Sequence, residues 1–276
     1  METNNEPKKE EFILTNENYH SPEARKHYLG ASMFKEFMKC EVMGLAKVNG
    51  EFEDTKSVAL LYGGYVDAYF SGELDEFIVE HPEMFTQKGT LKSEYKSIED
   101  VIQTIESDPV MMKYLNGQKQ VIMTGEIAGV PFKIKMDAYH PNKLIVDQKV
   151  MKDMDTVWVE KDGKNVKVDF VEAYGYDIQG AIYREIESQN SEDHKKLPFV
   201  LAVTTKEDVP DKELFEIDDF YLNNALDLVK AKAPRFWDII QGKKAPVGCG
   251  HCPACRKIKK ITGVMSYGRL FKEKEE

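Results

Sequence analysis

The residue types best suited to joint chemistry lie on two neighbouring strand-like segments. From Lys133 to Asp137, the apolar residues Ile134 and Met136 alternate with Lys133, Lys135 and Asp137. A period of two buries one face of a strand and leaves the other charged. In the next segment, from Leu144 to Val150, Asp147 and Lys149 are two residues apart and share a face. A three-residue turn at positions 141–143 sets Asp137 opposite Asp147. Two carboxylates at that separation repel unless a cation lies between them. Oxygen-only ligands suit Mg²⁺ or Mn²⁺, which bind through one or two carboxylates together with substrate phosphate. A neighbouring lysine can hold or help deprotonate a metal-bound water and offset charge on a phosphorane-like transition state. That is the minimal equipment for phosphodiester hydrolysis. The ordinary alternative is an exposed strand face carrying a structural Asp–Lys pair.

Cysteines form the second group. Three of the four, Cys249, Cys252 and Cys255, are spaced C-x₂-C-x₂-C, and the other is Cys40. Such crowding suggests metal ligands before disulfides. The spacing can wrap three thiolates round one corner of an iron–sulfur cubane, with a fourth ligand from elsewhere. A Zn²⁺ site using the same three with Cys40 or His251 competes with it, and unliganded thiols are the remaining alternative. Either metal would have a structural role, pinning the C-terminal region to the first helix.

A third pattern is helical. Tyr176, Gln179 and Tyr183 stand at i, i+3 and i+7, on one helix face. Taken together, Asp137, then Asp147-Gln148-Lys149, then Gln179-x-x-x-Tyr183 resemble the PD-(D/E)xK nucleases. The pattern is most similar to the branch that contains exodeoxyribonuclease VIII (the RecE exonuclease) and phage lambda exonuclease, including RecE-like phage proteins. The similarity runs from about residue 32 to about residue 256. It implies an α/β restriction-endonuclease-like core, a mixed sheet flanked by helices, with the active site at one sheet edge. It also implies Mg²⁺-dependent cleavage of DNA, at double-stranded ends, in recombination or phage DNA processing. Carried over by position, Asp137 and Asp147 become metal ligands and Lys149 the catalytic lysine. Gln179 and Tyr183 become the helix motif beside them. Relatives often place a histidine ligand on an early helix; the matching position here is Asp67, which can fill the same role, the ordinary alternative being a helix-surface carboxylate. Glu126 is a candidate extra ligand or a plain exposed residue. Some members of the superfamily join one early cysteine to three late ones with a [4Fe–4S] cluster, implying Cys40 with Cys249, Cys252 and Cys255. A single-strand annealing protein and ring-shaped homo-oligomers are the partners that the resemblance implies. A second expectation on the same fold is a DNA-binding or adaptor module with a vestigial active site.

The elements that must position these residues can be read from periodicity. Phe34, Phe37, Met38, Val42 and Leu45 recur at helical steps after Ser32, a plausible N-cap. Further helices are expected over 55–70, 91–107 and 109–115. Strands follow over 120–127, 131–139 and 143–150, then a helix over 174–188, strands over 198–204 and 214–217, and a helix over 218–240. Residues 1–27 are expected to be a mobile arm with at most an edge strand at 12–14. Residues 28–260 form one domain that includes the cysteine cluster at 249–255, and 261–276 a charged tail.

Composition sets the outer bounds. With 276 residues, 42% apolar and 31% charged, the chain can bury a sizeable core without disulfides. The net charge of −10 argues against nonspecific coating of nucleic acid. From Lys243 onward the balance reverses to nine Lys and Arg against three Glu. The longest uncharged apolar run, 58–66, is far short of the roughly 20 residues of a membrane span. The polar N-terminus lacks the apolar stretch of a secretory signal, so a cytoplasmic location is expected. Gly63-Gly64 lacks the Lys-Ser/Thr of a phosphate-binding loop, and no Ser–His–Asp constellation can be argued.

Overall fold

The computed structural model describes residues 12–52, 57–161, 163–264 and 266–268. Seven helices come first: α1 (Pro22–His27), α2 (Ala31–Lys39), α3 (Glu41–Val48), α4 (Val58–Ser71), α5 (Leu74–Glu80), α6 (Ile98–Glu106) and α7 (Pro109–Leu115). The meander β1 (Gln118–Ile127), β2 (Val130–His140) and β3 (Leu144–Met151) follows, then a separate hairpin of β4 (Val157–Lys161) and β5 (Lys164–Val168). The chain continues through α8 (Phe170–Tyr174), α9 (Tyr176–Asn190), β6 (Phe199–Thr205), β7 (Lys212–Glu216), α10 (Asp219–Ile240) and α11 (Pro253–Ile258).

The main sheet has the order β1-β2-β3-β6-β7. β1, β2 and β3 are antiparallel neighbours, β6 is parallel to β3, and β7 is antiparallel to β6. A parallel neighbour requires a crossover, and α9 supplies it. Helices cover both faces. Phe199, Leu201 and Val203 of β6 join the core beneath α9 and α10, while Val200 and Ala202 join the core beneath α4 and α6. All seven residues of β6 are buried, which is why its sequence is apolar without alternation. The expected α/β mixed sheet flanked by helices is therefore the observed fold.

Several boundaries differ from the expected ones, each for a physical reason. The first helix starts after Gly30, not at Ser32, because Leu29 exchanges backbone hydrogen bonds with Pro131 and Lys133 of β2 at 2.9 and 3.0 Å. It then breaks at Cys40, whose backbone is extended, so α2 and α3 are two helices. Of 91–107, only 98–106 is α-helical, after a 3₁₀ turn at Ser93–Tyr95. The helix expected over 174–188 begins at Tyr176, because Gly175 adopts φ +63° and ends α8. Further along α9, a Cβ on Gly180 would lie 2.5 Å from Phe199, so glycine permits close seating on β6.

The N-terminal arm also differs. Residues 1–11 lie outside the described residues, and 12–14 form no strand. Residues 19–27 pack on the domain: Tyr19 is buried, Ser21 caps α1, and Arg25 donates to the Lys47 carbonyl at 2.9 Å. Of the charged tail, 265 and 269–276 lie outside the described residues, and the others are exposed without regular structure. Among the described residues no helix is long and apolar enough to cross a membrane.

Candidate active site

The site lies where β2 and β3 part. Their pairing runs His140 to Leu144, Tyr139 to Ile145 and Ala138 to Val146, so continuation of the register sets Asp137 opposite Asp147. On its other side β2 pairs with β1 at Ala138 and Met136, with no pairing of Asp137 and Gln120 between them. Gln120 has φ +51°. The side-chain alternation also breaks here, since Met136 joins the α9-side core and Ala138 the opposite one. In the gap between strands the Asp137 carboxylate replaces a ladder carbonyl, its Oδ2 accepting from the Gln148 amide at 2.8 Å.

From β3, Asp147 is only 1% exposed. Gln179 Nε2 donates to its Oδ1 at 2.6 Å, and Lys149 Nζ lies 2.5 Å from its Oδ2. Tyr183, one turn along α9, donates its hydroxyl to the Lys135 carbonyl at 2.9 Å and so fixes β2 just before Asp137. Tyr176, one turn earlier than Gln179, holds its ring 5.5 Å from Lys149 Nζ and 5.6 Å from Lys35 Nζ of α2. The helix face at i, i+3 and i+7 thus meets the strand face through all three of its residues. From the opposite layer, Asp67 of α4 lies 3.5 Å from Gln120 Nε2.

The charges of this cluster are only partly balanced. Burial raises the Asp137 carboxyl well above the carboxylate range, and the charges of Asp147 and Asp67 raise it further. Asp67 is raised by burial and by Asp147, against the lowering effect of Lys149 and Lys135. Asp147 and Asp137 raise the Lys149 ammonium enough to outweigh its burial. Burial lowers Lys35 to about 8, with Lys149 adding to the effect. Asp147 Oδ2 is buried and accepts no well-directed hydrogen bond. Crowded buried carboxylates, with Asp147 Oδ2 held by Lys149 alone, are a donor set that fits a divalent cation of the Mg²⁺ or Mn²⁺ type. Among the described residues only the cysteines bring three or more ligand atoms within 4.8 Å of one another. The aspartates stand more openly, as suits an ion that keeps waters and shares its shell with phosphate.

Asp67, Asp137, Asp147, Lys149, Gln179 and Tyr183 all line one cavity of about 570 Å³. The lining also includes Arg25, Lys133 and Lys135, and Lys47 paired with Glu36 at 2.8 Å. The β2 face expected to be charged and exposed is partly covered: Lys133 is 4% exposed, its ammonium donating to the Tyr19 carbonyl and lying 4.5 Å from the Tyr19 ring centre. A smaller cavity of about 320 Å³ lies on the α4 side and shares Asp67, Asp137 and Lys149. Glu126 is not part of the site; it is exposed and pairs with Pro131 near the far end of the β1–β2 hairpin. Sequence reasoning missed Tyr19, Lys35 and Gln120. None of the three stands in a motif of the sequence.

The four cysteines converge at the break between α2 and α3. Cys40 Sγ lies 3.5 Å from that of Cys255 and 3.7 Å from that of Cys252, and Cys249 Sγ lies 4.0 Å from that of Cys255. His251 is exposed and outside this group.

A model of the family described as "PDDEXK-like domain of unknown function (DUF3799)" matches residues 30–258. Among solved structures, the crystal structure of a Eubacterium rectale protein named "Putative exonuclease" is similar to this chain. The two are 45% identical with a TM-score of 0.88, over 94% of this chain and 98% of that one. A search of curated proteins finds no match.

Proposed function

Because the chain belongs to the PDDEXK-like family, we propose that it is a divalent-metal-dependent DNA nuclease, acting as an exonuclease on double-stranded ends. Nuclease activity is supported by the family and by the neighbour named as an exonuclease. The observation that supports the metal-dependent reading is the meeting of Asp67, Asp137, Asp147 and Lys149 on one cavity.

When bound, Mg²⁺ or Mn²⁺ supplies Lewis-acid polarisation of the phosphate and favours ionisation of a water. Asp137 and Asp147 are the proposed ligands, with Asp67 as the third. Lys149, kept protonated by the carboxylates beside it, offers its remaining N–H groups to phosphate oxygens that gain charge in the transition state. Gln179 orients Asp147, and Tyr183 holds the strand that carries Asp137. Arg25 and Lys135 line the space that a polyanion would enter, so binding weakens as salt rises.

In this proposal residues 28–260 act as one nuclease domain that includes the cysteine cluster, and 261–276 as its charged tail. The setting is cytoplasmic, in recombination or phage DNA processing, with a single-strand annealing protein and further copies of the chain as partners. The test is incubation with end-labelled linear DNA and closed circular DNA, in Mg²⁺ or in EDTA. Linear DNA should be consumed only in Mg²⁺ while circles survive. Cutting of circles would replace the exonuclease with an endonuclease, and binding without consumption would replace both with the adaptor module.

A further inference from the structure

We infer that Cys40, Cys249, Cys252 and Cys255 hold one tetrahedral thiophilic ion of the Zn²⁺ class, and not the [4Fe–4S] cluster that the resemblance implied. Sulfur spacing carries the inference. The separations are 3.5, 3.7 and 4.0 Å, and all four sulfurs lie within 4.8 Å of one another. A single ion with tetrahedral Zn–S bonds of about 2.3 Å sets its sulfurs about 3.8 Å apart. In a cubane each thiolate caps a different iron, so the ligand sulfurs face one another across four irons and four sulfides. Sulfurs that nearly touch leave no such space. Nor are they disulfides, since the shortest separation is well beyond the roughly 2.05 Å of a bond.

The backbone supports the same ligand set. The amide of Cys249 donates to Cys40 Sγ at 3.4 Å, that of Cys252 to Cys249 Sγ at 3.3 Å, and that of Cys255 to Cys252 Sγ at 3.4 Å. N–H groups directed at sulfur favour the thiolate, the form that binds metal. Cys252 caps α11, with Pro253 at the first helical position, so the turn that presents Cys252 and Cys255 is set by local sequence. His251 is exposed and outside the gathered atoms, which selects four cysteines over three with a histidine.

Such an ion has a mechanical role. It joins the C-terminal segment to the α2–α3 break, next to Glu41, which pairs with Arg235 at 2.6 and 2.8 Å and accepts from the Val247 amide at 2.7 Å. The opposite end of α2 contributes Ala31, Ser32 and Met33 to the active-site cavity. The ion therefore anchors one end of a helix whose other end shapes the site.

The test is elemental analysis of the full chain purified anaerobically, with assay of acid-labile sulfide and a visible spectrum. One zinc per chain is expected, without iron, sulfide or a charge-transfer band. Growth in cobalt should yield protein with the ligand-field absorption of a tetrahedral cobalt thiolate. The His251→Ala variant should keep one zinc per chain, and titration of the four thiols should release that zinc. Iron with comparable sulfide would overturn the inference, as would metal-free protein from zinc-replete medium. Loss of the ion in His251→Ala would overturn the four-cysteine ligand set. None of these readouts depends on whether the chain cuts DNA.

Discussion

Replacing Asp137 with asparagine should make the metal-free protein more stable while abolishing cleavage. Asp137 is pushed above its ordinary range by burial, Asp147 and Asp67, and is relieved only in part by Lys149 and the Gln148 amide. A carboxyl whose folded pKa is raised contributes its stability below the unfolded value near 3.9, and loses it as pH rises through the folded value. At pH 7.5, above the unfolded value, an aspartate at position 137 is therefore a net cost to the metal-free fold. One pH unit corresponds to about 1.4 kcal/mol. Asparagine removes the charge and keeps an oxygen for the Gln148 amide, which now sits 2.8 Å from Oδ2. A gain of about 1–2 kcal/mol is expected, within the usual range for relieving functional strain. For a domain of this size that is roughly 2–8 °C in melting temperature, at roughly 2–4 °C per kcal/mol. The assay is urea and thermal unfolding of both proteins at pH 7.5 in EDTA and in Mg²⁺. Mg²⁺ should stabilise the wild type and leave Asp137→Asn unchanged, because binding to the native state alone raises stability. A loss of more than about 1 kcal/mol in EDTA would refute the reasoning, since Asp137 would then be a structural hydrogen-bonding group.

Other perturbations separate positioning from chemistry. Gln179→Met removes the 2.6 Å bond to Asp147 with little change in volume; the Mg²⁺ needed for half-maximal cleavage should rise about 10–100-fold, with most of the rate recovered at saturation. Tyr183→Phe loses the hydroxyl bond to the Lys135 carbonyl and should cost about 1 kcal/mol in urea unfolding. Lys35, lowered to about 8, loses its charge as pH rises from 7 to 9. DNA affinity of the wild type should fall over that window, and Lys35→Met should flatten the fall when both are followed by fluorescence anisotropy.

The strands of the candidate site were legible because backbone periodicity alone places their residues. A period of two puts Asp147 and Lys149 on one face, and a short turn sets β2 against β3 in a register whose observed pairs end at Ala138–Val146, one step before Asp137 and Asp147. Helical periodicity likewise brought Tyr176, Gln179 and Tyr183 together. What was not legible depends on contacts distant in sequence. The break at Cys40 is accompanied by the Glu41–Arg235 pair and by cysteines more than 200 residues later. Tyr19 covers Lys133 from 114 residues away. The β4–β5 hairpin was missed although the sequence carries its signals: an Asp-Gly dipeptide at 162–163, and Val157, Val159, Val166 and Val168 alternating with Trp158, Glu160 and Lys167, the valines half-buried and the others exposed.

The central claim is that Lys149 and the aspartates around it cleave DNA, and the most direct measurement is the single-turnover rate on end-labelled linear duplex in Mg²⁺. Wild type and Lys149→Ala would be compared at matched protein and DNA concentration, with near-equal melting temperatures confirming an intact fold. Wild type should degrade the duplex, and Lys149→Ala should show no cleavage above the EDTA background. Cleavage by Lys149→Ala at the wild-type rate would contradict the assignment of this site.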